Sequence, residues 1–365
     1  MKKQILKKLF FLPFILAITA SAGYGYDSSC DCDDEKAPTP NQGYGKTTTE
    51  MMAGYNAPAR IDVNGSWDFF VKGSFLYWQA REGGLDLASF YPADPTITTG
   101  YVEYINYDFK PGFKVGLGTS FSHDDWTLYL EWGRVHGTSK KHASVDETLY
   151  DTHASWYSSG TGEITGLDAS WTTKYDMIDL ELGRPYYLGT HLTVNPFFGG
   201  RFGWLRQKLN VNYNKSAANP FVSKNKSTSW LLGPRAGFDG NWIFGHGFRL
   251  IGNAAGSIFY QKIKTAHKDT NSSDVITQRA KVDEGYYNPY AEIGVGLGWG
   301  TYFSNNSWHF DAQILWEHHN FWNQNTMRDL AGLFDTLAGG ATSRLNGQLG
   351  DLSFSGLTAS LRLDF

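Results

Sequence analysis

The sequence predicts an all-β protein: a transmembrane antiparallel up-and-down β-barrel of about 10 strands, with short periplasmic turns and long extracellular loops. Three observations predict it: stretches in which apolar and polar residues alternate with period two, connections that alternate between long and short, and a secretory leader. The alternation is imperfect in the first stretch, so counts of 8 or 12 strands remain alternatives.

The chain ends in the clearest strand of the sequence. Counting back from the C-terminus in steps of two, Phe365, Leu363, Leu361 and Leu357 are apolar, while the residues between them are polar or small. A strand that ends on an aromatic residue in this way resembles the terminal assembly signal of bacterial outer-membrane barrels, which implies barrel-assembly machinery as a partner. The last strand must pair with the first, because each unpaired backbone group in hydrocarbon costs several kcal/mol. The alternative is an amphipathic strand ending a soluble β-domain.

Nine further stretches show the same period-two alternation. In the first of them Leu76 and Trp78 fall on the polar side, whereas several others begin and end their apolar face with Trp or Tyr, as aromatic girdles at two membrane interfaces require. In chain order the stretches are Trp67–Gln79, Phe109–Phe121, Trp126–Trp132, Ile178–Gly183, Leu192–Trp204, Trp230–Trp242, Phe248–Tyr260, Tyr287–Trp299 and Trp308–Glu317.

The connections between these strands alternate strictly in length. Short turns fall at 123–125, 184–190, 243–247 and 304–307, and long segments at 81–108, 136–171, 207–227, 261–285 and 319–349. Short periplasmic turns and long outer loops are typical of outer-membrane barrels and put both termini on the periplasmic side. The run Leu330–Leu337 is a candidate short helix that folds inward as a constriction.

The composition and the N-terminal residues indicate where the protein is located. Residues 1–22 have the lysines, short apolar core and Ala20-Ser21-Ala22 site of a signal peptide, so the mature chain is expected outside the cytoplasm. Removing the leader changes the formal charge from −4 to −8, because it contains four lysines and no acid. No basic patch for a nucleic acid is visible, and no later run of about 18 apolar residues predicts a spanning helix.

Residues 23–65 predict a flexible periplasmic arm, and residues 66–365 the barrel. The arm contains Cys30 and Cys32 in an acidic setting. In an oxidising compartment they are candidates for disulfides to neighbouring envelope proteins, although two exposed thiols without a partner are an equal alternative. A lone Cys-x-Cys supplies too few ligands for a zinc site, and no cofactor is expected.

The polar faces of the strands predict a charged lumen. Cations and carboxylates alternate there, and glycines between them leave room for water, so we expect a transverse field that selects solutes by charge and size. The alternative is that the same charges form internal ion pairs and plug a small barrel. The predicted pore-lining residues are Lys72, Lys110, Lys114, Glu131, Asp179, Glu181, Arg201, Arg235, Asp239, Arg249, Glu292, Asp311, Glu317 and Arg362.

The start of the predicted barrel resembles a known family. Ala57–Val63, Trp67–Phe70 and above all the run SFLYWQAREGGL at 74–85 resemble the opening of the MOMP-like pore-forming outer-membrane proteins, the major outer-membrane proteins of chlamydial and legionella-type intracellular Gram-negative bacteria. The resemblance implies an abundant porin in the outer-membrane lipid bilayer that passes small hydrophilic solutes. It also implies a homo-oligomer as one form of the protein. The family offers no catalytic residues.

Two other functions stay open. An omptin-like protease would use carboxylates and histidines at the barrel rim, for which His136, Asp151, His153, His318 and His319 are candidates, but no catalytic spacing or metal motif appears among them. We therefore expect no enzyme. A surface adhesin with a plugged barrel would use the long loops around 136–171 and 319–349 to contact an outside partner.

Overall fold

Ten strands form one closed antiparallel sheet in the computed structural model, which describes residues 57–65, 68–94, 96, 99–146, 149–157, 164–215, 218–337 and 350–365. The elements are β1 (Phe69–Glu82), β2 (Asp86–Pro92), β3 (Tyr101–Tyr104), β4 (Phe109–Ser120), β5 (Thr127–Ser144), β6 (Tyr150–Ala154), β7 (Gly166–Gly183), β8 (Tyr186–Tyr187), β9 (Leu192–Lys215), β10 (Ala218–Gly245), β11 (Phe248–Thr270), β12 (Ile276–Phe303), β13 (Trp308–Phe321), α1 (Thr326–Leu337) and β14 (Leu352–Asp364). The ring follows the order β1, β4, β5, β7, β9, β10, β11, β12, β13, β14 and back to β1, so the predicted fold class is confirmed.

The last strand closes the barrel against the first. The register of β14 and β1 extends from Phe70 opposite Asp364 to Glu82 opposite Leu352. Beyond it, the backbones of Phe69 and Phe365 exchange two hydrogen bonds, of 3.2 Å and 3.0 Å. Leu357, Leu361 and Phe365 face outward and Leu363 shares their side of the strand; recognition of these residues as an assembly signal stays a prediction.

Two rings of aromatic side chains bound the apolar outer face. The outer aromatic ring includes Trp204, Trp230, Tyr260 and Tyr287, with ring centroids 5.7 Å apart for Trp230–Tyr260 and 5.6 Å for Tyr260–Tyr287. Twelve residues further along each strand, towards the periplasmic end, Trp242, Phe248 and Trp299 belong to the second ring. At about 3.3 Å per residue and a tilt of about 40°, twelve residues rise roughly 30 Å, the thickness of a bilayer's hydrocarbon core.

The outward face between the two rings gives a testable consequence. Ile293 lies midway between Tyr287 and Trp299 on β12 and is exposed on the outer side. We expect Ile293→Arg to lower the free energy of unfolding in lipid vesicles by roughly 2–4 kcal/mol, because it places a charge at the midplane. Ser170→Arg, on the outward side of β7 but above the outer aromatic ring, is the control and should change it by less than about 0.5 kcal/mol. Equal effects of the two changes would contradict the proposed bilayer position.

The strands continue far beyond the outer aromatic ring, and here the sequence-based prediction was wrong. Segments 207–227 and 261–285, predicted as long loops, are mostly strand: β9 to β12 contain 24, 28, 23 and 28 residues, and the link between β11 and β12 is only 271–275. A membrane crossing uses only about 9–11 residues of each strand. The remainder forms a wall outside the bilayer whose outward face is polar, so a search for apolar alternation misses it.

Two other long segments carry structure that folds inward. Segment 81–108 contains β2 and β3, and 136–171 contains β6 and the ends of β5 and β7; β3, β2 and β6 pair as a small sheet. The predicted helix is present and begins at Thr326, where Asn325 caps it by accepting a hydrogen bond from the Arg328 amide at 3.1 Å. Together, β2, β3, β6 and α1 are here called the inner cap. Within the described residues no helix is long and apolar enough to cross a membrane.

The described end of the N-terminal arm contacts the periplasmic turns. Pro58 forms a β-bridge with Tyr186, and the Asn64 amide donates to the Asn306 carbonyl at 2.8 Å. The Arg60 guanidinium lies 3.3 Å from an Asp125 carboxylate oxygen. The signal peptide, Cys30, Cys32 and Trp67 lie outside the described residues, so the predictions for them stay predictions.

Candidate functional site

The centre of the lumen holds a network of buried charges. Arg201 donates to Asp179 through a two-pronged contact, with Nη2 2.6 Å from Oδ2, and its Nη1 lies 3.0 Å from Glu292 Oε2. Arg235 bridges Glu181 and Glu292, so that β7, β9, β10 and β12 are joined across the interior. Such charge-assisted pairs are strong only because every member has a partner, since burial strips each ion of its water.

A second group of charges joins the other side of the barrel to this network. Lys114 on β4 lies 3.1 Å from Glu317 and 3.8 Å from Glu131. The Thr358 hydroxyl donates to Glu317 at 2.7 Å, and His319 lies 3.2 Å from Glu292 and 3.5 Å from Glu317. His319 therefore connects the two groups. These nine residues, here called the ion-pair layer, are Lys114, Glu131, Asp179, Glu181, Arg201, Arg235, Glu292, Glu317 and His319.

Below the ion-pair layer lies a cavity of about 170 Å³, here called the vestibule. Its lining includes residues from the periplasmic ends of strands, such as Phe70, Thr127 and Gly183, and charged groups of the ion-pair layer. Lys72, Asp239 and Arg362 add charges of both signs to its wall. A space of this volume has room for several water molecules.

Above the ion-pair layer four large rings fill the lumen. Tyr175 is the centre of this aromatic layer, with centroids 6.0 Å from Trp78, 5.1 Å from Phe354 and 6.2 Å from Phe321. All four are at most 2% exposed. The layer is fixed to the charges beneath it, because Trp78 Nε1 donates to Thr358 at 3.0 Å and the Lys114 ammonium lies 5.1 Å from the Trp78 ring.

The inner cap covers the aromatic layer from outside. Trp156 is buried in it and donates to the Asp86 carbonyl at 2.7 Å, and Tyr213 on β9 donates to the Leu87 carbonyl at 2.7 Å. Arg328 of α1 pairs with Asp86 at 2.8 Å, which links the helix to the small sheet. The described residues thus fill the outer part of the barrel from wall to wall, with the apolar side chains of cap and wall in one cluster.

All fourteen predicted pore-lining residues lie on inward-facing positions of the strands. Eight of them belong to the ion-pair layer together with His319, and three others, Lys72, Asp239 and Arg362, line the vestibule. Arg249 pairs with Asp311 near the periplasmic end, whereas Lys110 lies apart at the outer end, 3.2 Å from Asp108. That these residues conduct solutes stays a prediction.

The candidates for a catalytic site are scattered. His318 faces outward and contacts the Ser355 hydroxyl at 2.6 Å, whereas His319 lies in the ion-pair layer. His136 pairs with Asp176 at 2.9 Å on the outer wall, and Asp151 and His153 lie on β6. The structure therefore does not bring these five groups together.

Sequence reasoning missed the aromatic layer. The sequence does contain a sign of this layer, because apolar residues stand on the polar side of two strands. Leu76 and Trp78 occupy the side of β1 that carries Lys72 and Ser74. Tyr175 and Met177 occupy the side of β7 that carries Asp179. Apolar residues on both faces of the outer half of a strand indicate a packed interior there.

Comparison with known proteins decides the family. The family model of the Legionella pneumophila major outer membrane protein precursor matches residues 62–365. The chain belongs to this family. It is therefore a protein of the cell outer membrane, embedded in the lipid bilayer as a β-barrel. No curated protein sequence matched.

Solved outer-membrane barrels are similar to this family member only in outline. The outer membrane protease OmpT from Escherichia coli is 10% identical, with a TM-score of 0.43, over 81% of this chain and 96% of its own. A Pseudomonas aeruginosa FadL homologue is 7% identical, with a TM-score of 0.25, over 82% and 90%. Similarity at this level says nothing about activity.

Proposed function

We propose that this barrel is a porin-like channel of small conductance, closed in the conformation described, that passes small ions and hydrophilic solutes. The observation that carries the proposal is the vestibule, a cavity with room for water that is lined by charges of both signs and ends at the ion-pair layer. Permeation requires the ion pairs to exchange partners and the aromatic layer to move aside. Charged rings of this kind select permeating ions by sign.

A second candidate is a closed barrel that displays its outer wall to an external partner. The filled outer half favours it, because rings that are at most 2% exposed leave no continuous path through the described residues. In this reading the ion pairs and the inner cap stabilise a rigid support for the wall, and no solute crosses.

Single-channel recording in planar bilayers distinguishes the two candidates, and selectivity locates the path. We expect small, infrequent conductance steps from the refolded protein. Lys72→Glu should shift the permeability ratio towards cations by up to about tenfold, since reversing one charge about 6 Å from an ion in water changes its energy by about 1.4 kcal/mol.

The matched control is Lys174→Glu, which makes the same change on the outward side of β7 and should leave selectivity unaltered. Complete absence of conductance at every voltage, with correctly folded protein, would contradict the channel and favour the closed barrel. Equal shifts in the two variants would show that Lys72 does not face the permeation path.

A further inference from the structure

The outer wall carries a groove that is strongly cationic. It has a volume of about 330 Å³, and six of its eleven lining residues are basic while none is acidic: Lys208, Lys224, Lys226, Lys268, Arg279 and Lys281. Within the described part of the chain none of these six has an ion-pair partner within 4 Å. The groove is therefore a concentration of uncompensated positive charge on a protein whose total formal charge is negative.

The strand register forces these cations together. Lys226 lies directly opposite Lys208, and Lys224 directly opposite Lys268, which in turn is opposite Arg279. Like charges in directly opposed positions of a sheet destabilise it, and an acidic residue at any of these positions would remove the repulsion. A bound polyanion removes it as well.

The height and direction of the groove define what reaches it. Lys226 lies four residues beyond Trp230 of the outer aromatic ring, and Lys281 six residues beyond Tyr287, on the same outward face. Counting about 2.5 Å of rise per tilted residue, these cations lie roughly 10–15 Å above the ring. Arg206, two residues beyond Trp204, extends the positive charge down to the ring, whereas Lys262 at a similar height is paired with Asp283 at 3.7 Å.

This ladder of charge faces sideways over the membrane surface. Phospholipid headgroups extend only about 5–7 Å beyond the hydrocarbon core, so they can contact only those cations of the ladder that lie nearest the membrane. A lipid whose anionic groups are carried on sugars stands higher and reaches the groove while its acyl chains pack against the apolar band. Binding of a soluble anion would not need cations that extend down to the aromatic ring.

We propose that the groove binds the phosphate groups of a phosphorylated glycolipid in the outer leaflet, which thereby becomes a bound component of the barrel's outer wall. Several lysines and an arginine contact one multivalent anion, so the interaction weakens with salt. The lipid holds the four strands β9, β10, β11 and β12 against the membrane on one side of the barrel. This proposal is independent of whether the lumen conducts.

The test compares lipid binding by folded full-length variants in detergent. The probe is the bis-phosphorylated lipid A disaccharide, with its phosphate-free form, inorganic phosphate and a sulfated polysaccharide as comparisons. For the triple variant K208Q/K226Q/K268Q we expect roughly 100-fold weaker binding of the bis-phosphorylated form, counting about fivefold for each cation lost near the membrane surface. The control R81Q/R134Q/K140Q removes three cations from the outward side of β1 and β5 and should keep full affinity.

Native mass spectrometry gives stoichiometry, and a heat-dependent shift on gels confirms that each variant is folded. One tightly bound bis-phosphorylated lipid per chain, lost in the groove variant and absent with the phosphate-free form, supports the proposal. Equal binding of the two lipid forms, an unaffected triple variant, or tighter binding of the sulfated polysaccharide than of the lipid would each overturn it. Inorganic phosphate competing at the lipid's own affinity would also overturn it, since a free anion would then suffice.

Discussion

Replacing Arg201 by methionine lowers the free energy of unfolding by about 3–5 kcal/mol, the expected cost of removing one partner from a buried ion pair. Arg201 is only 3% exposed and neutralises both Asp179 and Glu292. Methionine approximates its volume but leaves Asp179 without its cation, while Glu292 keeps Arg235 and His319 as partners. Urea unfolding in lipid vesicles, followed by tryptophan fluorescence, measures the change.

Two further variants separate loss of charge pairing from loss of packing. Arg206→Met makes the same substitution on the outward side of the same strand and should cost less than about 0.5 kcal/mol. Adding Asp179→Asn to Arg201→Met should restore part of the loss, because fewer carboxylates then remain unpaired. If Arg201→Met unfolds at the same urea concentration as the unmodified protein, the ion-pair layer does not stabilise the barrel.

The parts of the fold that a membrane dictates were predictable from the sequence. Lipid requires an apolar outer face, a closed ring and aromatic residues at both interfaces, and each requirement leaves a local pattern, as on β14 or between Trp230 and Trp242. Inward positions of charged residues such as Arg201 and Glu292 follow from the same alternation. The alternation does not show which of these residues pair across the lumen, because the pairing depends on contacts between strands distant in sequence.

The outer half of the barrel was not predictable for a different reason. Outside the bilayer the wall has water on one side and the inner cap on the other, so Lys224 and Lys226 alternate with buried Ser223 and Asn225 instead of with lipid-facing residues. A hydropathy profile does not distinguish such a strand from a polar loop. The cationic groove and the small sheet of the inner cap both lie in this region, which explains why the sequence suggested neither. The helix of the cap was the part that the sequence did predict.

The largest functional change is expected from the aromatic layer. Trp78→Ala with Phe354→Ala removes two of its four rings, and we expect frequent, longer openings and a severalfold larger conductance in planar bilayers. The physical reason is steric: these rings and the inner cap above them are what separate the ion-pair layer from the outer side. Each substitution also costs about 3–5 kcal/mol of packing, so the backbone ladders of the closed ring must hold the fold.

Lipid-facing rings at similar positions provide the control for this experiment. Phe75→Ala with Phe113→Ala removes the same kind of side chain from the outward face of β1 and β4 and should leave conductance unchanged. An unchanged conductance in the folded Trp78/Phe354 variant as well would mean that the inner cap alone seals the lumen. Because Arg328 and Asp86 join α1 to the small sheet, such a seal would favour a permanently closed barrel whose function resides on its outer wall.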